Sequence, residues 1–340
     1  MGTEKTWVNA LVTGGGGFLG SAIVRHLHRH GSRVTTLNRR HYPHLDHLDV
    51  NQFSGDIADY AAVKAAAKSC DIIFHVAAKA GIWGDYADYR RCNVVGTQNV
   101  IKACRELGIT RLVYTSSPSV VFAGDDIEGG DESLPYPRHY ETAYPATKAE
   151  AERLVIAAND ATLHTVSLRP HLIWGPGDNH LVPRIIAKGK AGKLRRIGSA
   201  NKLVDCVYVD NAAAAHVLAA QQLDNGKVAG KCYFISQDEP RPLWDIVNDI
   251  LACADIAPVE KKVPFSVAYT AGFILEQAYR LLGKNSEPPM TRFLARELAT
   301  AHWFNITAAR RDFGYSVQIS YQDGMKRLKQ WLQAETDKKG

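Results

Sequence analysis

Apolar and polar positions follow two alternating periods along the first half of the chain. Residues 7–12 are a short apolar run with the look of a strand buried on both faces. Phe18, Leu19, Ile23, Val24 and Leu27 then recur at the spacing of one helix face, which predicts a helix over 18–30. The alternation repeats. Strands are predicted over 33–37, 71–76, 111–117 and 163–168, with a further short strand ahead of Gly55. Helices are predicted from near Asp59, from Asn93 to Leu107 and from Tyr144. Strands alternating with helices predict an α/β chain with a Rossmann-type, doubly wound parallel sheet. Residues 121–140, rich in Gly, Asp, Pro and Glu, read as a surface loop.

After residue 168 the pattern changes. The turn 169–178 is stiffened by Pro170 and Pro176, and helix and strand signals then mix over 181–190, 206–209, 211–222, 231–235 and 242–253. The expected division is a nucleotide-binding domain over 1–178 and a smaller mixed substrate-binding lobe over 179–340, partly interleaved with the first. Residues 263–282 predict an amphipathic to strongly apolar helix. Burial in the protein's own core is its plainest reading. Closing a substrate cavity, oligomerisation and contact with a membrane surface are the others. An amphipathic helix is predicted over 321–333.

The turn between the first strand and helix is Thr13-Gly14-Gly15-Gly16-Gly17-Phe18-Leu19-Gly20. Strand, glycine turn and helix are the context of a dinucleotide site. Gly14 allows the tight turn, Gly17 lets a pyrophosphate approach the backbone, and Gly20 lets the helix pack closely. The amides at the helix start, Phe18 and Leu19 among them, face the phosphates. About 20 residues on, an acid would grip a ribose 2′-hydroxyl and mark NAD(H). This chain has Asn38-Arg39-Arg40 there, so two guanidiniums are available for a 2′-phosphate, and NADP(H) is expected over NAD(H). Asp56 is a candidate for the adenine amino group or for a helix cap. Ala77 and Ala78, small residues after the strand over 71–76, let a cofactor lie against the backbone.

Composition narrows the classes. Hydrophobic residues at 46% and charged residues at 22% are ordinary for a globular enzyme of 340 residues. The net charge of +6 includes no basic tract of the kind that binds nucleic acid. Six cysteines lack any zinc or CxxC spacing, and buried reduced thiols in a cytoplasmic protein are expected. His41, His44 and His47 sit in a Pro-containing loop without a carboxylate or thiol cluster, so no metal is expected. No secretory leader or transmembrane segment fits the pattern.

Tyr144 and Lys148 stand one turn apart on a predicted helix that Pro145 helps to start. A phenol has a free pKa of about 10 and is a poor acid–base group at neutral pH. A neighbouring ammonium stabilises phenolate and lowers that value. Thr115, Ser116 and Ser117 end the strand over 111–117 and point towards the same crevice.

Thr-Gly-x-x-Gly-x-x-Gly over 13–20, Ser117, Tyr144 and Lys148 occur in that order, and together they resemble the extended short-chain dehydrogenase/reductases. Residues 114–120, 168–178 and 208–211 are similar to the 3β-hydroxysteroid dehydrogenase branch. Residues 177–181, 233–236 and 309–315 further resemble the bacterial 2-alkyl-3-oxoalkanoate reductases of long-chain olefin biosynthesis. The resemblance covers nearly the whole chain. It implies NADPH-dependent reduction of a long-chain 2-alkyl-3-ketoacid to the 3-hydroxyacid in the cytoplasm, beside a β-lactone synthetase and a β-lactone decarboxylase, by a homo-oligomer. It also implies roles. Tyr144 donates a proton to the ketone oxygen, Lys148 lowers the Tyr144 pKa and holds the nicotinamide ribose, and Ser117, or its rival Ser116, hydrogen-bonds the carbonyl. For the substrate carboxylate Lys79, His171 and His180 are unranked candidates. A 3β-hydroxysteroid or 4-carboxysterol dehydrogenase is the alternative enzyme, and a sugar-nucleotide epimerase a more distant one. A non-catalytic NADP-binding regulatory or scaffolding protein is the alternative outside enzymes.

Overall fold

The computed structural model describes residues 9–198, 202–284 and 286–337. Its centre is a seven-stranded sheet in which every pairing is parallel. The strands are β1 (Asn9–Thr13), β2 (Arg33–Asn38), β3 (Asn51–Ser54), β4 (Ile72–His75), β5 (Arg111–Thr115), β7 (His164–Pro170) and β12 (Lys231–Ile235), in the spatial order β12-β7-β5-β4-β1-β2-β3. The chain runs outward from β1 through β2 to β3, then returns to lay β4 on the other side of β1. The carboxyl ends of β1 and β4 therefore open a crevice at the point where strand order reverses, the usual ligand position in such sheets. The predicted first strand is found, shifted to Asn9–Thr13, and Trp7 and Val8 lie outside the described residues.

Side chains alternate across the sheet because the strand period is two. Ala10 and Val12 of β1 face the core formed with α1 (Phe18–Arg29) and α7 (Val209–Gln221). Leu11, between them, faces the opposite core, formed with α2 (Tyr60–Ala67), α4 (Gly96–Leu107) and α5 (Ala143–Ala157). Both faces are thus covered, and the strands read as continuous apolar runs. Two units from beyond residue 178 belong to this sheet: β12 pairs with β7, and α7 packs on α1.

The remaining strands are short. β6 (Ile127–Gly130), β10 (Leu203–Val204), β13 (Arg241–Pro242) and β15 (His302–Phe304) make a four-stranded sheet. β8 (Ile173–Trp174) pairs with β11 (Val207–Tyr208), and β9 (Arg196–Ile197) with β14 (Lys262–Val263). Around them lie α6 (Leu181–Lys190), α8 (Leu243–Cys253), α9 (Phe265–Leu281), α10 (Arg292–Glu297), α11 (Thr307–Phe313) and α12 (Tyr321–Asp337).

Four expectations need correction. The segment 121–140 is not loop throughout, because β6 pairs with β15. Gly129 makes this fit: it adopts φ +69, and a Cβ there would stand 2.9 Å from the Trp303 ring. The helix expected from Asn93 begins earlier. α3 (Tyr86–Arg90) runs through a π turn at Arg91–Val95 into α4. β5 stops at Thr115, and Ser117 instead caps a short turn at Pro118–Val121. Finally, α9 is not a core helix. It buries only Ala268, Gly272 and Glu276. None of the six cysteines is in a disulfide. Among the described residues no helix is long and apolar enough to cross a membrane.

Candidate active site

The glycine turn lies at the head of the crevice, and steric demands explain its composition. Gly14 sits at φ +69, where a Cβ would come within 2.9 Å of the Ala77 backbone. A Cβ on Gly20 would stand 2.1 Å from the Gly14 carbonyl oxygen, so α1 can seat on the turn only with glycine there. Gly17 is the extended N-cap of α1 and supplies no side-chain cap, and no acid stands in the first turn. The first amides of α1, those of Phe18 and Leu19, thus remain for an anion at the positive end of the helix. This uncapped turn fits a dinucleotide pyrophosphate.

Asn38 ends β2. It is buried, its Oδ1 accepts from the Gly16 N–H at 2.9 Å, and its Nδ2 donates to Thr36 Oγ1 at 3.0 Å. Asn38 therefore clamps the glycine turn onto β2. Arg39 and Arg40 follow on the surface, with the Arg40 guanidinium 5.2 Å from the Tyr42 ring centre. Asp56 accepts from the Ala58 N–H and pairs with Arg91 at 2.6 Å. That amide and then Arg91 hold its carboxyl below the usual range against partial burial. Asp59, not Asp56, caps α2. Ala77 lies against Gly14 and donates its N–H to Thr13 Oγ1 at 3.2 Å, and Ala78 is exposed.

Tyr144 and Lys148 lie one turn apart on α5, beside the end of β5. Ser117 Oγ bonds Ser119 Oγ at 2.9 Å and lies close enough to the Tyr144 phenol to lower its pKa, while Ser116 is buried on the side of Glu152. Of the two serines, Ser117 faces the phenol. Lys148 is 2% exposed. Its Nζ donates to the Thr115 carbonyl at 2.5 Å and sits 4.2 Å from the centre of the Tyr114 ring. Burial pushes the ammonium down to about 7, with Glu152 opposing. The lowered phenol pKa expected from Lys148 is not found. Burial raises Tyr144, and the opposing influence is the neighbouring Ser117 hydroxyl. Lys148 Nζ bonds the Thr115 carbonyl and rests on the Tyr114 face, and with its pKa at about 7 it is uncharged over the range in which a buried phenol titrates.

Two of the three candidates for a substrate carboxylate are engaged elsewhere. Lys79 pairs with Asp88 at 2.9 Å. His171 is buried, its Nε2 3.2 Å from His302 Nδ1, and burial and then His302 keep it neutral. His180 is exposed at the start of α6. His41 pairs with Asp46, and His44 bonds Ser21 Oγ.

Four groups escaped the sequence reading. Asn93, in the π turn, accepts from the Lys79 N–H at 2.7 Å and donates to Thr147 Oγ1 at 3.0 Å, tying the segment after β4 to α5. Glu152 lies one turn beyond Lys148 and pairs with buried Arg169 at 2.6 Å, with Tyr136 and Ser167 donating to it. Burial opposes its ionisation, but Arg169 outweighs it and holds the carboxyl below its usual range. His75 bridges Thr13 Oγ1 and Thr97 Oγ1, and burial pushes it down to about 3. Glu297, at the end of α10, adds its field to Tyr144 and is pushed up to about 7 by burial, with Arg184 opposing. The signal for Glu152 was present as a third polar residue at helical spacing after Tyr144 and Lys148. The others depend on partners remote in sequence. A cavity of about 740 Å³ flanks this group. Ala143 and Ala146, either side of Tyr144, line it with Trp83, Tyr89, Glu276 and Tyr279.

Residues 11–265 match the model of the 3-beta hydroxysteroid dehydrogenase/isomerase family. The chain is 51% identical over 322 residues to a 2-alkyl-3-oxoalkanoate reductase of Stenotrophomonas maltophilia, covering 94% of this chain and 98% of that one. It is 34% identical over 345 residues to a decarboxylating sterol-4-alpha-carboxylate 3-dehydrogenase of Candida albicans, covering 95% and 97%. Its fold is similar to that of a Thermus thermophilus UDP-glucose 4-epimerase solved with NAD, with a TM-score of 0.73, 21% identity, and 96% and 99% of the two chains covered.

Proposed function

The chain belongs to the 3-beta hydroxysteroid dehydrogenase/isomerase family and is a nicotinamide-dependent oxidoreductase, and on that premise we propose that it reduces a long-chain 2-alkyl-3-oxoalkanoic acid to the 2-alkyl-3-hydroxyalkanoic acid with NADPH. The observation that carries this reading is the convergence of Tyr144, Ser117 and Lys148 at the end of β5. The similarity to reductases of that name supports the substrate class.

Gly14, Gly17, Phe18, Leu19 and Gly20 hold the pyrophosphate, Arg39 and Arg40 the 2′-phosphate, and Lys148 the nicotinamide ribose. Asp56, Ala77 and Ala78 border the cofactor, and Asn38 acts by fixing the turn. When bound, reduced nicotinamide supplies the hydride. Ser117 donates a hydrogen bond to the ketone oxygen and orients it. Tyr144 holds its proton, as its raised pKa requires of an acid, and releases it to that oxygen as charge develops there. The Lys148 ammonium then stabilises the phenolate that remains.

In this reading the enzyme works in the cytoplasm in bacterial olefin biosynthesis, as a homo-oligomer beside a β-lactone synthetase and a β-lactone decarboxylase. The similarity to sterol-carboxylate dehydrogenases supports a second substrate reading, since both classes pair a ketone and alcohol with a neighbouring carboxylate. Purified protein given NADP⁺ with a long-chain 2-alkyl-3-hydroxyacid, or with a 4-carboxysterol, separates them. Turnover of the hydroxyacid is expected. Turnover of the sterol alone would overturn the substrate assignment.

A further inference from the structure

α9 is seated by a narrow seam. Ala268, Gly272 and Glu276 recur every four residues on its inner side and are buried. A Cβ on Gly272 would stand 2.7 Å from the Thr291 backbone, so the helix lies tight on the chain entering α10. Glu276 locks it there by pairing with Arg292 at 2.8 Å.

The opposite face is left bare. Val267, Ile274 and Leu281 are spaced by seven, two helical turns each, and so stand in line on the outer side. They are 55%, 60% and 88% exposed, with Phe273 at 46% and Leu282 at 66% beside them. Large apolar groups exposed on one face mark an interaction surface.

Charge selects the occupant. Lys261 and Lys262 precede the helix, and Arg280 and Lys284 close it, all four exposed. Among the described residues none of the four is in an ion pair. Over 261–284 the one acid is Glu276, which is turned inward, and Glu260 alone precedes the lysine pair. Both ends are net cationic. A second copy laid on this stripe, parallel or antiparallel, would bring cationic ends against cationic ends. An anionic lipid surface satisfies both features, taking the apolar stripe below its headgroups and the cations among them.

We propose that the outer face of α9 docks the protein on an anionic phospholipid surface. The inner side of the same helix supplies Glu276 and Tyr279 to the 740 Å³ cavity, and Gly283 and Lys284 continue its wall. With α9 docked, the wall of this cavity lies at the lipid surface. On the ketoreductase reading, lipid is the phase in which a long-chain substrate dissolves.

Flotation of the full-length protein with phosphatidylcholine vesicles, with and without about one part in four phosphatidylglycerol, tests the docking. Flotation is expected with the anionic vesicles at about 0.1 M salt and is lost as salt rises. Val267→Glu/Ile274→Glu/Leu281→Glu should reduce it about tenfold or more, and so should Lys261→Gln/Lys262→Gln. Both variants should keep cofactor binding and turnover of a water-soluble short-chain ketoacid. Wild-type protein that stays unbound, or variants that float undiminished, would overturn the proposal. So would a dimer, seen by light scattering, that the triple glutamate variant dissolves. Wild-type protein that fails to float yet turns over the ketoacid condemns the docking alone, and wild-type protein that floats without turnover condemns the reductase reading alone.

Discussion

Lys148 is an ammonium buried where an alkyl chain would be more comfortable. The Thr115 carbonyl, the Tyr114 ring and the field of Glu152 offset only part of the lost hydration, which is why its pKa falls to about 7. The unfolded chain keeps this proton up to a pH of about 10.4. Between those values the unfolded state binds more protons, so this group's penalty on stability is full below about 7 and is relieved as pH rises. Lys148→Met should accordingly abolish turnover and raise the Tm at pH 6, with the gain shrinking as pH rises above 7. Calorimetry across pH checks this, and a variant less stable than wild type at pH 6 would show the site to be better compensated. Arg39 carries a second prediction at this scale. Because Asn38 is turned inward, Arg39 is the first side chain after β2 available to a cofactor phosphate. Hydrogen bonds to charged groups contribute about 1.5–3 kcal/mol. Arg39→Asp should therefore weaken NADPH about 10–100-fold more than NADH in a fluorescence titration. Equal weakening of both would remove Arg39 from the phosphate site.

At the scale of elements, α5 carries a column of function and support. Tyr144, Lys148 and Glu152 follow one another by single turns, and Glu152 anchors the helix to β7 through Arg169. Both charges are almost wholly excluded from water. Removing one partner of such a pair costs about 3–5 kcal/mol, because the other is left buried and uncompensated. Glu152→Gln should show a loss of that order in urea unfolding. Glu152→Gln/Arg169→Met should recover most of it, and a double variant as unstable as the single would contradict this account. The helix, its start near Pro145 and the Tyr144–Lys148 spacing were legible in the sequence, since they depend on local periodicity. The Arg169 partner and the Asn93 clamp were not, because each joins different elements, 17 positions apart for Glu152 and Arg169 and 54 for Asn93 and Thr147. The inward turn of Asn38 was hidden for a related reason. A residue name fixes which bonds a side chain can make, not which backbone amide it meets.

For the whole molecule, the main sheet and the crevice at its strand reversal followed from the repeated strand–helix pattern. The second lobe did not, because five of its strands are two residues long and carry no period to read. Its path matters to the site. α7 covers α1, the helix that bears the glycine turn, with Ala212, Ala213 and Val217 in the same core as Ile23 and Val24. β12 closes the edge beyond β7. A fragment of residues 1–178 would leave both surfaces bare, and it is expected to lack a cooperative thermal transition and to bind no cofactor. A fragment that unfolds cooperatively and binds NADP⁺ would show the first 178 residues to be self-sufficient.

The central claim is that Tyr144 protonates a ketone oxygen while hydride reaches the adjoining carbon from NADPH. The most direct measurement gives purified protein a long-chain 2-alkyl-3-ketoacid and NADPH deuterated at both nicotinamide C4 positions, and locates the label in the product by mass spectrometry. The account predicts one deuterium at C3 of the 3-hydroxyacid, and a rate about 10²–10⁴-fold lower in Tyr144→Phe with cofactor still bound. Unlabelled hydroxyacid, or an undiminished rate in that variant, would contradict it.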